Sequence, residues 1–135
     1  MIDLTRDNLD AELLGALPEL RERYQALLQW WGEGEPGKQV VFGSVVNPFV
    51  DSLLASEENQ NETTLRRVFG FLETMAISKD EVVLNVLAVT VCEHLTSDSS
   101  LLARARMFMG PFTKATVDAV QRWWEQMSKD TERES

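Results

Sequence analysis

One histidine, His94, and one cysteine, Cys92, are the residues of this 135-residue sequence best suited to nucleophilic or acid–base chemistry near neutral pH. They stand two residues apart. On a helix that spacing turns the side chains about 200° from each other, so they cannot act as a nucleophile and its base. Val91 stands three residues before His94, so a Glu-x-x-His di-iron motif is absent, as is His-Glu-x-x-His. A histidine with so few potential co-ligands reads as a structural side chain. Glu57, Glu58 and Glu62 form a carboxylate group, but in a polar corner where water solvates them, whereas a general acid needs burial or a close like charge. Gly32-Glu33-Gly34-Glu35-Pro36-Gly37 has the glycines of a phosphate loop but places two carboxylates where phosphate would sit, so it reads as a linker. Asn47-Pro48-Phe49 matches a short trafficking motif, and a helix kink or cap is the better reading of it. No catalytic residue, no cofactor and no metal are expected.

The tryptophans are more informative. Trp30-Trp31 and Trp123-Trp124 are adjacent pairs, and on a helix neighbours diverge by about 100°. One ring of each pair is therefore expected to pack inward and the other to reach solvent; the competing reading buries both in a wide helix contact. An exposed tryptophan rimmed by carboxylates has the composition of a protein-binding hot spot. The expected binding residues are Trp31, Glu33, Glu35, Asp51, Glu57, Glu58 and Glu62.

Charge narrows the partner. Thirteen Lys and Arg against twenty-two Asp and Glu give a net charge of −9. Duplex nucleic acid and anionic membranes both call for cationic surfaces, so neither is expected as a ligand. A single cysteine excludes an internal disulfide and any zinc site built from several thiolates. Met1 to Asp7 shows no basic start followed by an apolar run. The apolar stretch Val82 to Cys92 is interrupted by Asn85 and falls short of the ~20 residues that span a bilayer. The expected location is the cytoplasm.

The elements that must carry these residues are helical. With 44% apolar and 26% charged residues the chain has the balance of one folded domain, expected over residues 1–127 with a disordered tail at 128–135. Gly and Pro cluster at 15–18, 32–37 and 110–111 and are absent from 71 to 109, too long a span for strands punctuated by turns. Thr5 suits a first helix cap and Pro18 the first turn of a second helix, with Leu20, Tyr24, Leu27, Leu28 and Trp31 as its stripe. Phe42, Val45, Val46, Phe49, Val50, Leu53 and Leu54 keep helical spacing, with a break expected near Asn47 because Pro48 removes a hydrogen bond. A helix over about 62–77 carries Leu65, Val68, Phe69, Leu72, Met75 and Ala76. The next, capped by Ser78 or Asp80, runs over about 79–95, with a strand as its rival because it is rich in valine. A short helix follows over 101–109. Pro111 opens the last, whose stripe is Phe112, Ala115, Ala119, Val120, Trp123, Trp124 and Met127. The expected fold is all-α, with six or seven helices.

Two resemblances add to this reading. Asp80-Glu81-Val82-Val83-Leu84-Asn85-Val86-Leu87-Ala88-Val89 resembles the inner helix of a HEAT-type repeat, which implies an antiparallel HEAT-like array in the second half. A second set of segments is Leu17-Pro18-Glu19-Leu20, Trp30-Trp31-Gly32, Phe42-Gly43 and Val46-Asn47-Pro48-Phe49, then Phe69-Gly70-Phe71-Leu72-Glu73, Ala88-Val89 with Val91, and Met109-Gly110-Pro111. Over most of residues 16–124 this set resembles a family of short bacterial all-α proteins known mainly as a domain of unknown function and associated with polymorphic toxins. The resemblance implies an immunity role: a cytoplasmic protein, monomer or homodimer, that binds and blocks one cognate toxin. A basic nuclease domain would suit its acidic charge. The runner-up is a non-catalytic helical adaptor. An enzyme would need His94 or Cys92 in a cleft beside a carboxylate.

Overall fold

The computed structural model describes residues 3–56 and 60–134, with the backbone alone for residue 60 and residues 130–134. Seven helices and no strand make up these described residues. Helix α1 is Leu9–Ala16, and α2 is Arg21–Trp31, entered through a 3-10 turn at Pro18–Leu20. Helix α3 runs over 38–55 as Lys38–Val41, a wide π stretch at Phe42–Val46, and Asn47–Ala55. Helix α4 is Gln60–Ala76. Helix α5 runs over 81–96 and is built the same way as α3: Glu81–Asn85, a π stretch at Val86–Cys92, and Glu93–Thr96. Helices α6 (Ser99–Arg106) and α7 (Pro111–Glu134) complete the chain.

Expected breaks and caps fall where local chemistry requires them, with one correction. Pro48 does not break α3. Its missing N–H and ring would disturb a regular turn, but the turn before it widens and the Asn47 N–H reaches back to the Phe42 carbonyl, so the helix passes through. Residues 128–134 continue α7, and Ser135 lies outside the described residues. That segment lacks Gly and Pro, and extending an existing helix costs far less than nucleating one.

Caps pin the corners. The Asn8 N–H donates to Thr5 Oγ1 at 3.3 Å and the Thr5 N–H to Asn8 Oδ1 at 2.8 Å, closing a reciprocal turn ahead of α1. Asp80 caps α5 by accepting from the Val82 N–H at 2.9 Å and also accepts from the Arg6 N–H at 2.7 Å. Ser78, the rival cap, instead donates to the Leu4 carbonyl at 2.6 Å. Together these bonds tie the N-terminal segment to the α4–α5 corner. Those backbone bonds hold the Asp80 carboxyl below its usual range. Asp98 caps α6 through the Ser100 and Leu101 N–H groups.

The core is one cluster around α4, which buries Leu65, Val68, Phe69, Leu72 and Met75 and packs against α1, α3, α5 and α7. A solenoid unit touches only its neighbours in sequence. Here the helices gather about a central one, so α4 is a hub. Its far end carries a cap in trans. Glu73 Oε1 accepts the Thr113 N–H at 2.9 Å in the first turn of α7, where four amides lack helical partners. Gly110 lies against that carboxylate, in the space a β-carbon would occupy.

A second polar junction joins α1, α2 and α3. The Tyr24 hydroxyl donates to Asp10 Oδ2 at 2.9 Å, and Lys38 Nζ pairs with the same oxygen at 3.2 Å. Burial, then the Asp10 carboxylate, pushes the Tyr24 phenol up to about 12.

Two outcomes test these junctions. Gly110→Ala should destabilise the protein by about 1–2 kcal/mol, because the methyl displaces the capping carboxylate. In a Glu73→Ala background, where that cap is already gone, the same change should cost close to nothing in urea unfolding. Tyr24 is the single tyrosine, so absorbance near 295 nm reports it alone. Tyrosinate should form around pH 12 in the folded chain and at a lower pH in Asp10→Asn. Since the folded phenol lies above the unfolded one, its contribution to stability is complete below about pH 10 and is lost as pH rises towards 12.

Candidate partner-binding surface

The expected binding residues fall into separate places. Trp31 closes α2, and Glu33 and Glu35 follow on the 32–37 loop, all three exposed. Gly32 and Gly34 take positive φ values of 89° and 85°, the left-handed region that other residues avoid. The loop is held at its C-terminal end, where Pro36 is buried and Lys38 just beyond it pairs with Asp10. Asp51 lies on α3 and is engaged elsewhere: His94 Nε2 sits 2.7 Å from Asp51 Oδ2. Glu62 is exposed in the first turn of α4, and Glu57 and Glu58 lie outside the described residues. Among the described residues no hydrogen bond or ion pair joins the Trp31–Glu35 group to Asp51 or Glu62.

The tryptophans depart from expectation. Both rings of both pairs are exposed: Trp30 79%, Trp31 39%, Trp123 53% and Trp124 44%. The pairs rest on each other, Trp123 and Trp124 edge to face at 5.0 Å between centroids. In α7 most of the expected apolar stripe does not face the core, although Val120 packs partly against it. Phe112, Ala115 and Ala119 are exposed, and the inward face is Thr113 and Val117, both fully buried.

That outward stripe forms a surface the sequence reading missed. An apolar groove of about 520 Å³ runs between α5 and α7, lined by Ala88, Val89, Glu93, Thr116, Ala119, Val120 and Trp123. Trp124 continues it beside Glu93, Thr96 and Ser97. A signal was present in sequence: Thr116, Ala119 and Trp123 keep three–four spacing, the seam of a helix that expects another helix. The register of α5 shapes the other wall. The buried side chains are Val83, Val86, Leu87, then Val91, Cys92 and Leu95, so the last three fall one residue late for a regular helix. The π stretch supplies the extra residue, and Val89, at its middle, is 49% exposed.

Two polar features sit behind this wall. Asn47, 7% exposed, donates from Nδ2 to the Thr90 carbonyl at 3.1 Å, joining the wide stretch of α5 to α3 just past its own. His94, by the same one-residue slip, is turned out to solvent and meets Asp51 at the surface, the two side chains 40% and 33% exposed. A histidine beside a carboxylate is thus present, but neither residue lines the groove. Cys92 is fully buried, and burial pushes its thiol up to about 12. Among the described residues no three His, Cys, Asp or Glu side chains gather into a metal-binding cluster, and no helix is long and apolar enough to cross a membrane.

The model of a family described as a domain of unknown function (DUF7674) matches residues 11–129, and the chain belongs to that family. No curated protein and no solved structure matches it.

The buried thiol gives a direct test of this packing. Cys92 should be inert to a thiol reagent such as Ellman's at pH 8 in the folded chain and react in full once unfolded by guanidinium. Fast labelling of the native chain would show that the wall between α3 and α5 opens.

Proposed function

We propose that this member of the DUF7674 family is a non-catalytic cytoplasmic protein that binds one partner protein and neutralises it by direct contact, as an immunity protein does its cognate toxin. One observation carries the reading: the exposed Trp30-Trp31 pair, followed by Glu33 and Glu35 on a loop anchored where it enters α3. A binding surface held in shape before the encounter loses little entropy on association. Aromatic anchors supply buried area, and the carboxylates steer a basic partner. The chain's net charge of −9 acts in the same direction over longer range. A nuclease domain, with a cleft made basic to hold nucleic acid, is the partner class that fits this charge best. The resemblance to toxin-associated families supports the same role.

A non-catalytic helical adaptor is the second reading, favoured by the apolar groove between α5 and α7, a shape suited to taking helices from several proteins. Stoichiometry separates the two.

Capture of the tagged chain from its native lysate, with washing at high salt, should retain one partner, which purified should bind with fixed stoichiometry. Trp31→Ala should then weaken that complex by about tenfold or more. Glu33→Gln with Glu35→Gln should slow association and flatten its dependence on salt. Several weak partners would favour the adaptor, and full affinity in all of these variants would place binding elsewhere.

A further inference from the structure

Helix α7 is the longest helix of the chain and gives the core little for its length. Among its described side chains only Val117 belongs to the buried apolar cluster; Val120 packs partly against it, and Thr113 is the other fully buried one. From Arg122 to Lys129 every residue is exposed. Its polar ties to α4 and α6 lie between Thr113 and Gln121. Glu73 Oε1 accepts the Thr113 N–H at 2.9 Å, and Arg106 Nη2 donates to Asp118 Oδ1 at 3.0 Å and to Gln121 Oε1 at 2.8 Å. The Arg106–Asp118 pair is a surface one, its side chains 35% and 50% exposed, and such pairs hold weakly. The Glu73 tie is polar on both sides, so it sets the rotation of α7 while burying little apolar area.

The turn before α7 is anchored. Phe108 stacks on Phe69 of α4 with ring centroids 6.3 Å apart, the Arg66 guanidinium lies 5.8 Å from the Phe108 ring centre, and Met109 is buried. Gly110 follows, and α7 starts at Pro111. Firm packing therefore stops at Met109 and sparse packing begins in the first turn of α7, with Gly110, which has no side chain to anchor, at the boundary. The helix does not need the body in order to stay a helix. Past Pro111 it has neither Gly nor Pro, and its 24 residues exceed the ~12–15 below which an isolated helix is marginal. Local stability follows buried apolar contact, so the segment with little of it opens before the rest.

We propose that α7 is a strap that swings away from the body about Gly110 as one helix while the rest of the chain stays folded. Opening uncovers the sides of α4 and of the Val86–Cys92 stretch on which α7 packs, and so widens the α5–α7 groove into a broader surface. Access to that surface is set by how tightly the strap is held, and the Glu73 cap is the contact that returns it to register. The inference is independent of the immunity reading, since it concerns a different face.

Hydrogen exchange of the full chain, read by mass spectrometry in guanidinium below the unfolding transition, tests it. The amides of residues 113–121 are expected to exchange together, about 100-fold or more faster than those of residues 65–75 in α4. Rising guanidinium should speed α4 much more steeply than α7, because a released strap exposes less surface than global unfolding does. Val50 is buried in α3; Val50→Ala, which weakens the body, should speed α4 by about tenfold and leave α7 unchanged. Equal exchange of α7 and α4 across the guanidinium series overturns the proposal, and so does Val50→Ala speeding both alike. Fast exchange confined to residues beyond Gln121 overturns it too, since it shows only the fraying of an exposed end.

Discussion

The structure depends on a match between two widened helices. Helices α3 and α5 each carry a π stretch, and the two lie side by side with Asn47 bridging to the Thr90 carbonyl. A wide turn is a poor arrangement in isolation, because its backbone groups are less well paired than in a regular turn. Placed in a dry interface, unmatched groups cost about 1–3 kcal/mol each. The Asn47 amide meets that cost on the α5 side. On the α3 side the widening is what lets Pro48 lie within a helix. The two irregularities thus support each other. Neither has an obvious reason to exist alone, and their consequence is the one-residue slip along α5 that turns His94 outward while keeping Val91, Cys92 and Leu95 in the core.

Helix α7 is oriented by an electrostatic cap, against its own apolar pattern. Glu73 reaches the Thr113 N–H only if the start of α7 presents that side to α4, and Gly110 gives the carboxylate room. Fixing the first turn fixes the rotation of everything after it. Thr113 and Val117 then face inward, and Phe112, Ala119 and Trp123 face out. A helix rotated to bury the larger side chains would gain apolar area and lose a charged acceptor at its N-terminus, where the aligned peptide dipoles favour one.

These two devices explain what could and could not be read from the sequence. Local signals were legible: the Pro18 and Pro111 starts, a cap at Ser78 or Asp80, and the stripes of α2, α3 and α4 follow from residue type and three–four spacing. The all-α class followed from the Gly- and Pro-free span from 71 to 109. The wide stretches were not legible, because an inserted residue leaves composition untouched and only shifts phase. Valine-rich α5 hides even that, since nearly any register puts an apolar side chain inward. The outward stripe of α7 was taken for core because periodicity locates an apolar face without saying what covers it. Of the expected binding residues, Trp31, Glu33 and Glu35 stand together because they are neighbours in sequence. Asp51 was tied up by a histidine 43 positions away, a contact no local pattern encodes.

The distribution of charge organises the surface that results. Acidic residues dominate the chain, while α7 alternates sign and is close to neutral along its exposed length. Short-range apolar packing has no direction of its own, so the charges around each exposed tryptophan pair set which surfaces can approach it. The Trp30-Trp31 pair is followed by Glu33 and Glu35, a local negative charge that favours approach of a basic surface over an acidic one. Two exposed tryptophan pairs of similar chemistry are in this way distinguished by the charges around them, mixed in sign beside Trp123-Trp124 and negative after Trp30-Trp31.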